Sequence, residues 1–232
     1  MVALVLLPGL DGTGLLFADF AASLNQEVKL IVVSYPSDTI LNYAELEALI
    51  RSFLPRDQSY FLLAESFSGP IAISIAASSP PGLLGLVLCC SFARNPLPLL
   101  APFRFVLDAV PVSPLPMTLL SYLLLGRFAT PTLRAALSRS IANVVPKVLR
   151  ARARATLTVD NSDLLCRIQV PILYLRASED RVVSRASSDI VVSLAPHTEV
   201  VEFSAPHFLI QVLPSQVAAA VVEFIGVRTA QF

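Results

Sequence analysis

Ser59-Tyr60-Phe61-Leu62-Leu63-Ala64-Glu65-Ser66-Phe67-Ser68-Gly69-Pro70 is a short apolar run that ends on a serine and passes at once into small residues. It reads as strand, sharp turn, helix. A serine at the apex of such a turn needs small neighbours two positions either side, because the strained backbone brings the two arms together; the usual form is G-x-S-x-G. Ala64 and Ser68 fill the two glycine places. The turn also delivers the backbone N–H of Phe67, and the N-terminus of the following helix, to the side of Ser66 where negative charge develops in acyl transfer. Small-x-Ser-x-small recurs by chance in a chain rich in Ala and Ser, so the remaining residues must supply partners for Ser66.

Upstream of this stretch, residues 2–7 are an unalternating apolar run, as in strands of a parallel sheet covered on both faces. A glycine-rich loop follows, Pro8-Gly9-Leu10-Asp11-Gly12-Thr13-Gly14. Residues 15–24 read as a helix, 28–34 as a second strand, and 42–54 as an amphipathic helix with Asn42 as N-cap. Residues 60–64 form the third strand, 67–79 a helix and 83–90 the fourth strand. Strand 170–177, helix 184–194, strand 199–203 and helix 214–225 complete the alternation. Repeated βα units imply a doubly wound parallel sheet of six strands. Between them, residues 93–163 break the pattern with Pro96, Pro98, Pro102, Pro111, Pro114, Pro116 and Pro131, and read as an insertion of short helices. The expected division is a core of residues 1–92 and 164–232 with a cap of residues 93–163.

Composition narrows the function. At 232 residues the chain suits one domain with an insertion. Its 17 Lys and Arg balance 17 Asp and Glu, which argues against a nucleic-acid binder. The apolar fraction of 55% is high, yet Pro or Gly interrupts every run before the roughly 18 residues a spanning helix needs. Residues 1–10 lack the basic region of a secretory signal. Cys89 and Cys90 are adjacent and Cys166 is remote, giving neither a disulfide framework nor a metal-ligand spacing. A reducing cytoplasm is expected, with no metal or cofactor.

In an open sheet of the common order 2-1-3-4-5, ligands bind beyond the strand C-termini where the winding reverses, between the first and third strands. The loop from Pro8 to Gly14 therefore faces Ser66. Its glycines permit close backbone approach, which suits the Leu10 N–H to join that of Phe67 in an oxyanion hole; the alternative is a plain turn or a phosphate cradle, although the spacing is not G-x-G-x-x-G. A serine nucleophile also needs a base, and the base a carboxylate to orient it. Of the two histidines, His207 follows a strand and His197 precedes one, so His207 is assigned as base and His197 to the surface. The same test leaves Glu179 and Asp180 as carboxylates just past strand 170–177.

Taken together these pieces resemble the α/β-hydrolase superfamily over essentially the whole chain. Leu-Leu-Pro-Gly-Leu-Asp-Gly resembles its oxyanion loop, Ala-Glu-Ser-Phe-Ser-Gly-Pro its nucleophile elbow, Val-Pro-Ile-Leu-Tyr-Leu-Arg-Ala-Ser-Glu-Asp-Arg-Val-Val its acid strand, and Ala-Pro-His-Phe its histidine loop. Members usually carry the acid two to three residues before the paired valines, which selects Asp180. Residues 160–183 look like small esterases such as the pimeloyl-carrier-protein methyl ester esterases, and Pro-Gly-Leu-Asp-Gly-Thr-Gly is similar to the hydrolase half of phytyl ester synthases. Pro8 departs from a common histidine and Ala177 from a common glycine, and the first strand would be the family's third.

The resemblance implies a minimal α/β-hydrolase fold and a serine carboxylic ester hydrolase, with catalytic Ser66, Asp180 and His207 and oxyanion donors Leu10 and Phe67. An apolar cap suits a hydrophobic short- to medium-chain ester. Acyl transfer or thioester cleavage by the same triad, and a non-catalytic binding protein on this fold, are the alternatives. Residues 109–159 contain no carboxylate but carry Arg127, Arg134, Arg139, Lys147, Arg150, Arg152 and Arg154. They read as a solvated basic face, suited to an anionic acyl carrier protein or lipid surface.

Overall fold

Apolar runs long enough for one strand each, separated by helix-forming segments, assemble into a single parallel sheet. The structure, a computed structural model, describes residues 2–24, 28–98 and 117–229. The strands are β1 (Val2–Leu7), β2 (Val28–Val32), β3 (Tyr60–Glu65), β4 (Leu83–Cys89), β5 (Ile172–Ala177) and β6 (Thr198–Phe203). Their order is β2-β1-β3-β4-β5-β6, with every neighbouring pair parallel. The helices are α1 (Ala18–Ser23), α2 (Tyr43–Phe53), α3 (Gly69–Ala77), α4 (Met117–Leu124), α5 (Pro131–Ala142), α6 (Pro146–Thr156), α7 (Arg185–Leu194), α8 (Leu209–Val212) and α9 (Pro214–Thr229). This is the doubly wound α/β sheet expected from the sequence. No helix among the described residues is long and apolar enough to cross a membrane.

The strand runs are continuous because both faces are covered. Ala3, Val5 and Leu7 of β1 pack with Leu46 and Ile50 of α2, Ile71 of α3 and Val191 of α7. The alternate residues Leu4 and Leu6 pack on the other face with Phe17, Phe20 of α1 and Val217, Val221 and Phe224 of α9. Each such Val, Leu, Ile or Phe side chain contributes roughly 1.5–3 kcal/mol on burial. At α2 the Asn42 side chain accepts from the Glu45 N–H at 3.0 Å and Glu45 accepts from the Asn42 N–H at 2.7 Å, a capping box. The helix expected from residue 67 instead opens with a 3-10 turn, Ser66–Ser68, before α3, because Ser66 holds a non-helical backbone.

The segment between β4 and β5 contains α4, α5 and α6. The expected short helices in residues 99–116 lie outside the described residues. The two stems of the segment are joined by an antiparallel bridge between Arg94 and Asp160. The Asn95 N–H donates to Val159 O at 2.9 Å and the Asn161 N–H to Ala93 O at 2.9 Å. Asn161 Nδ2 also donates to Pro70 O at 2.7 Å, tying the stem to α3. A third apolar cluster, with Leu125, Leu137 and Phe208 at its centre, packs the insertion on the loop after β6.

Candidate active site

Ser66 lies at the end of β3 with φ of 47°, in the left-handed region that a side chain adopts at a cost of about 1–2 kcal/mol. Its surroundings hold it there. Ser91 Oγ donates to Ser66 O at 2.7 Å, and a Cβ on Gly69 would stand 1.7 Å from that Oγ, so Gly69 is required for the close approach. Ser68, in the second glycine place of the motif, is fully buried. Its Oγ donates to Pro8 O and meets Tyr35 Oη at 2.5 Å, so it braces the turn against the loop after β1.

The expected nucleophile, base and acid are brought together. Ser66 Oγ is 2.9 Å from His207 Nε2, and His207 Nδ1 is 2.8 Å from Asp180 Oδ2. The other Asp180 oxygen accepts the N–H groups of Val182 and Val183, each at 2.8 Å. These are the paired valines of the sequence motif. Glu179 turns outward to a bidentate pair with Arg127, which separates it from Asp180, and His197 is exposed. Burial of His207 works against its charged form, but the Asp180 carboxylate, by charge and hydrogen bond, and Glu65 outweigh it and raise the imidazole above its ordinary value of 6.5.

Leu10 follows β1 and Phe67 follows β3, which are neighbours in the sheet. The loop that carries Leu10 is held by several hydrogen bonds. The Gly12 N–H donates to Gly9 O at 3.0 Å and the Tyr35 N–H to Gly12 O at 2.7 Å. Asp11 accepts from the Thr13 N–H at 3.0 Å and from its hydroxyl. Among the described residues the Leu10 N–H has no acceptor. Phe67 is held by stacking on Tyr43, ring centroids 4.9 Å apart. A serine hydroxyl hydrogen-bonded to an imidazole, itself held by a carboxylate, is an arrangement that can serve acyl transfer.

A model of the alpha/beta hydrolase family matches residues 4–221. The chain belongs to that family. No curated protein matches its sequence. Among solved structures, this alpha/beta hydrolase family member is similar to an enol-lactonase from Burkholderia xenovorans LB400, with TM-score 0.85 and 14% identity over 97% of this chain and 91% of that one. It is similar also to a thermophilic esterase from Thermogutta terrifontis, with TM-score 0.80 and 18% identity over 97% and 89%. For a carboxylesterase from Nitrososphaera gargenis the values are 0.83 and 14%, over 100% and 92%. At these identities the likeness is one of fold.

Sequence reasoning missed three residues in this family member. Glu65, inside the elbow motif, is a buried carboxyl that accepts Gln211 Nε2 at 2.8 Å and the Gly9 N–H. Ser91 braces the Ser66 carbonyl. Arg152, read as part of a solvated basic face, is instead 3% exposed. The available signal was its place four residues after the buried Val148 of α6, on the same helix stripe. Finally, Cys90 lies with Asp180 and His207 in a group whose donor atoms are all within 4.8 Å. Asp180 Oδ2 and His207 Nδ1 are already bonded to each other, so an ion there would take that pair apart.

Proposed function

We propose that this member of the alpha/beta hydrolase family is a serine carboxylic ester hydrolase that works through an acyl-enzyme. Ser66 Oγ attacks the ester carbonyl while His207 Nε2 takes its proton; the same proton then passes to the leaving alkoxide. Asp180 holds Nδ1–H and stabilises the imidazolium, and the N–H groups of Leu10 and Phe67 receive the oxyanion. Water attacks the acyl-enzyme with His207 again as base. The observation that carries this reading is the chain of contacts from Ser66 Oγ through His207 to Asp180, at 2.9 and 2.8 Å. Esterases among the structural neighbours support it, and the apolar insertion favours a hydrophobic short- to medium-chain acyl group.

The test is labelling with a fluorophosphonate, read by intact mass and peptide mapping, followed by a panel of p-nitrophenyl esters. One adduct on Ser66, absent in Ser66→Ala and much slower in His207→Ala, is expected. No adduct on the folded protein, or one on Ser68, would overturn the reading. An added alcohol acceptor separates hydrolysis from acyl transfer. The exposed Arg134, Arg139 and Lys147, in a stretch without carboxylates, suit an anionic carrier of the acyl group. A carrier-linked ester hydrolysed no faster than its free counterpart, at both low and high salt, removes that partner.

A further inference from the structure

Arg152 belongs to α6 in the insertion, yet its guanidinium ends on the loop after β1, some 140 residues away in sequence. Nη1 donates to Leu10 O at 3.1 Å and to Asp11 O at 2.7 Å, and Nη2 donates to Pro36 O at 2.9 Å. The cation also lies over the Tyr35 ring, 5.4 Å from its centroid. The loop is shaped to admit it. Gly12 has φ of 72°, and a Cβ there would stand 2.4 Å from Arg152 Nη1. A buried guanidinium is costly unless its donors are used, and here they are used on backbone carbonyls, two in the loop after β1 and one in the segment after β2, rather than on a carboxylate.

The two loop carbonyls belong to the two central residues of the turn closed by Gly12 N–H to Gly9 O. In a trans peptide the N–H points opposite to the C=O. Anchoring the Leu10 and Asp11 carbonyls toward α6 therefore fixes the Asp11 and Gly12 N–H groups; the Gly12 N–H in turn holds Gly9 O, the carbonyl of the peptide that carries the Leu10 N–H. A hydrogen bond from a cation also polarises the peptide it contacts. The other supports that reach the loop from outside, Ser68 on Pro8, Glu65 on Gly9 and the Tyr35 N–H on Gly12 O, leave the Leu10 and Asp11 carbonyls to Arg152.

We infer that Arg152 is a positioning residue through which the insertion sets the oxyanion loop. This rests on the reading of Ser66 as nucleophile and of Leu10 as an oxyanion donor. Loss of one such donor outright costs about 10²–10³ in kcat. With the first two loop residues still braced, Arg152→Met is expected to lower kcat roughly 10- to 100-fold, with KM changed less than about threefold.

The experiment compares the full chain with Arg152→Met and Arg152→Lys. Turnover of p-nitrophenyl butyrate is measured over pH, and hydrogen exchange is followed at residues 8–14. Arg152→Lys should recover only part of the loss, because one ammonium cannot span the Leu10 and Asp11 carbonyls and the Pro36 carbonyl as the planar fork does. Arg152→Ala should regain activity with added guanidinium but not with added ammonium. The acid limb of the pH profile should stay in place, since the His207 and Asp180 pair is untouched. Exchange at residues 8–14 should rise in Arg152→Met while β3 and β4 keep their protection.

Wild-type kcat and wild-type exchange in folded Arg152→Met would overturn the inference, as would full activity in Arg152→Lys. If Arg152→Met fails to fold, Arg152→Lys and the guanidinium rescue decide. An unmodified chain that neither turns over esters nor takes the fluorophosphonate would refute the proposed function. The exchange arm would then still report whether Arg152 sets the loop.

Discussion

Glu65 offers the sharpest test of the electrostatics beside Ser66. The carboxyl is 5% exposed. Burial is the main cause that raises it from 4.5 to about 7, opposed by the Gln211 hydrogen bond and reinforced by the nearby charge of Asp11. Between those two values the unfolded chain releases the proton while the folded chain keeps it. The unfolded state then binds fewer protons, so stability falls as pH rises from about 4.5 and levels off above about 7. At about 1.4 kcal/mol per unit, the penalty is about 3 kcal/mol at pH 8 and under about 1 kcal/mol at pH 5. Glu65→Gln keeps the length of the side chain and removes the charge. The variant should therefore be more stable than its parent by about 3 kcal/mol at pH 8, and this advantage should shrink by roughly 2 kcal/mol at pH 5. For a chain of this size that corresponds to a rise in Tm on the order of 6–12 °C at pH 8, readable by circular dichroism or urea titration at both pH values. A Glu65→Gln protein less stable than its parent at pH 8, or with the same offset at both pH values, would refute the reasoning.

Other perturbations address the triad and its supports. His207 must be neutral to take the proton, and its imidazole is raised by Asp180 and Glu65 against burial, so kcat/KM should fall on acidification through a value above 6.5. Asp180→Asn should lower kcat about 10⁴-fold by releasing the ring tautomer, and should move the residual acid limb downward; an unshifted limb in a pH-rate profile would count against the assignment. Gly69→Ala places a methyl 1.7 Å from Ser91 Oγ and 3.0 Å from Phe92 O, and should leave little soluble protein. Adding Ser91→Ala should recover part of the yield but not all, because the backbone contact remains. Tyr35→Phe removes one hydroxyl from Ser68 and should cost about 1 kcal/mol in urea unfolding, while Ser68 keeps its bond to Pro8.

The sheet was legible because its strands are covered on both faces, which makes 2–7, 60–64 and 83–90 continuous apolar runs that no helix period explains. The position of Ser66 followed from the same logic, since a serine between a buried strand and a run of small residues has few places to go. Asp180 could be told from Glu179 only through Val182 and Val183, whose N–H groups the structure puts on its carboxylate. Glu65 was in plain view within the motif, yet nothing local distinguishes it from a solvated acid. Its burial depends on Gln211 and Gly9, supplied by α8 and by the loop after β1. Arg152 was hidden for a similar reason: a cation in a basic helix reads as exposed unless its partners, here backbone carbonyls that leave no trace in sequence, are known.

The bridge between Arg94 and Asp160 brings the two ends of the insertion within about 5 Å, the spacing of an antiparallel pair. A segment whose ends nearly touch can be exchanged as a cassette, since the strands on either side need not move to accept a new one. In this protein the exchange has a condition. The Phe208 N–H donates to Leu124 O at 3.1 Å, and Arg181 Nη1 donates to Tyr122 O at 2.8 Å, so the residues next to the base and the acid also lean on the insertion. A graft cut at 95 and 159 would keep the sheet and the elbow but would have to bring its own support for all three loops. Exchange of the insertion and retention of the Ser66, His207 and Asp180 geometry are thus coupled design variables in this chain.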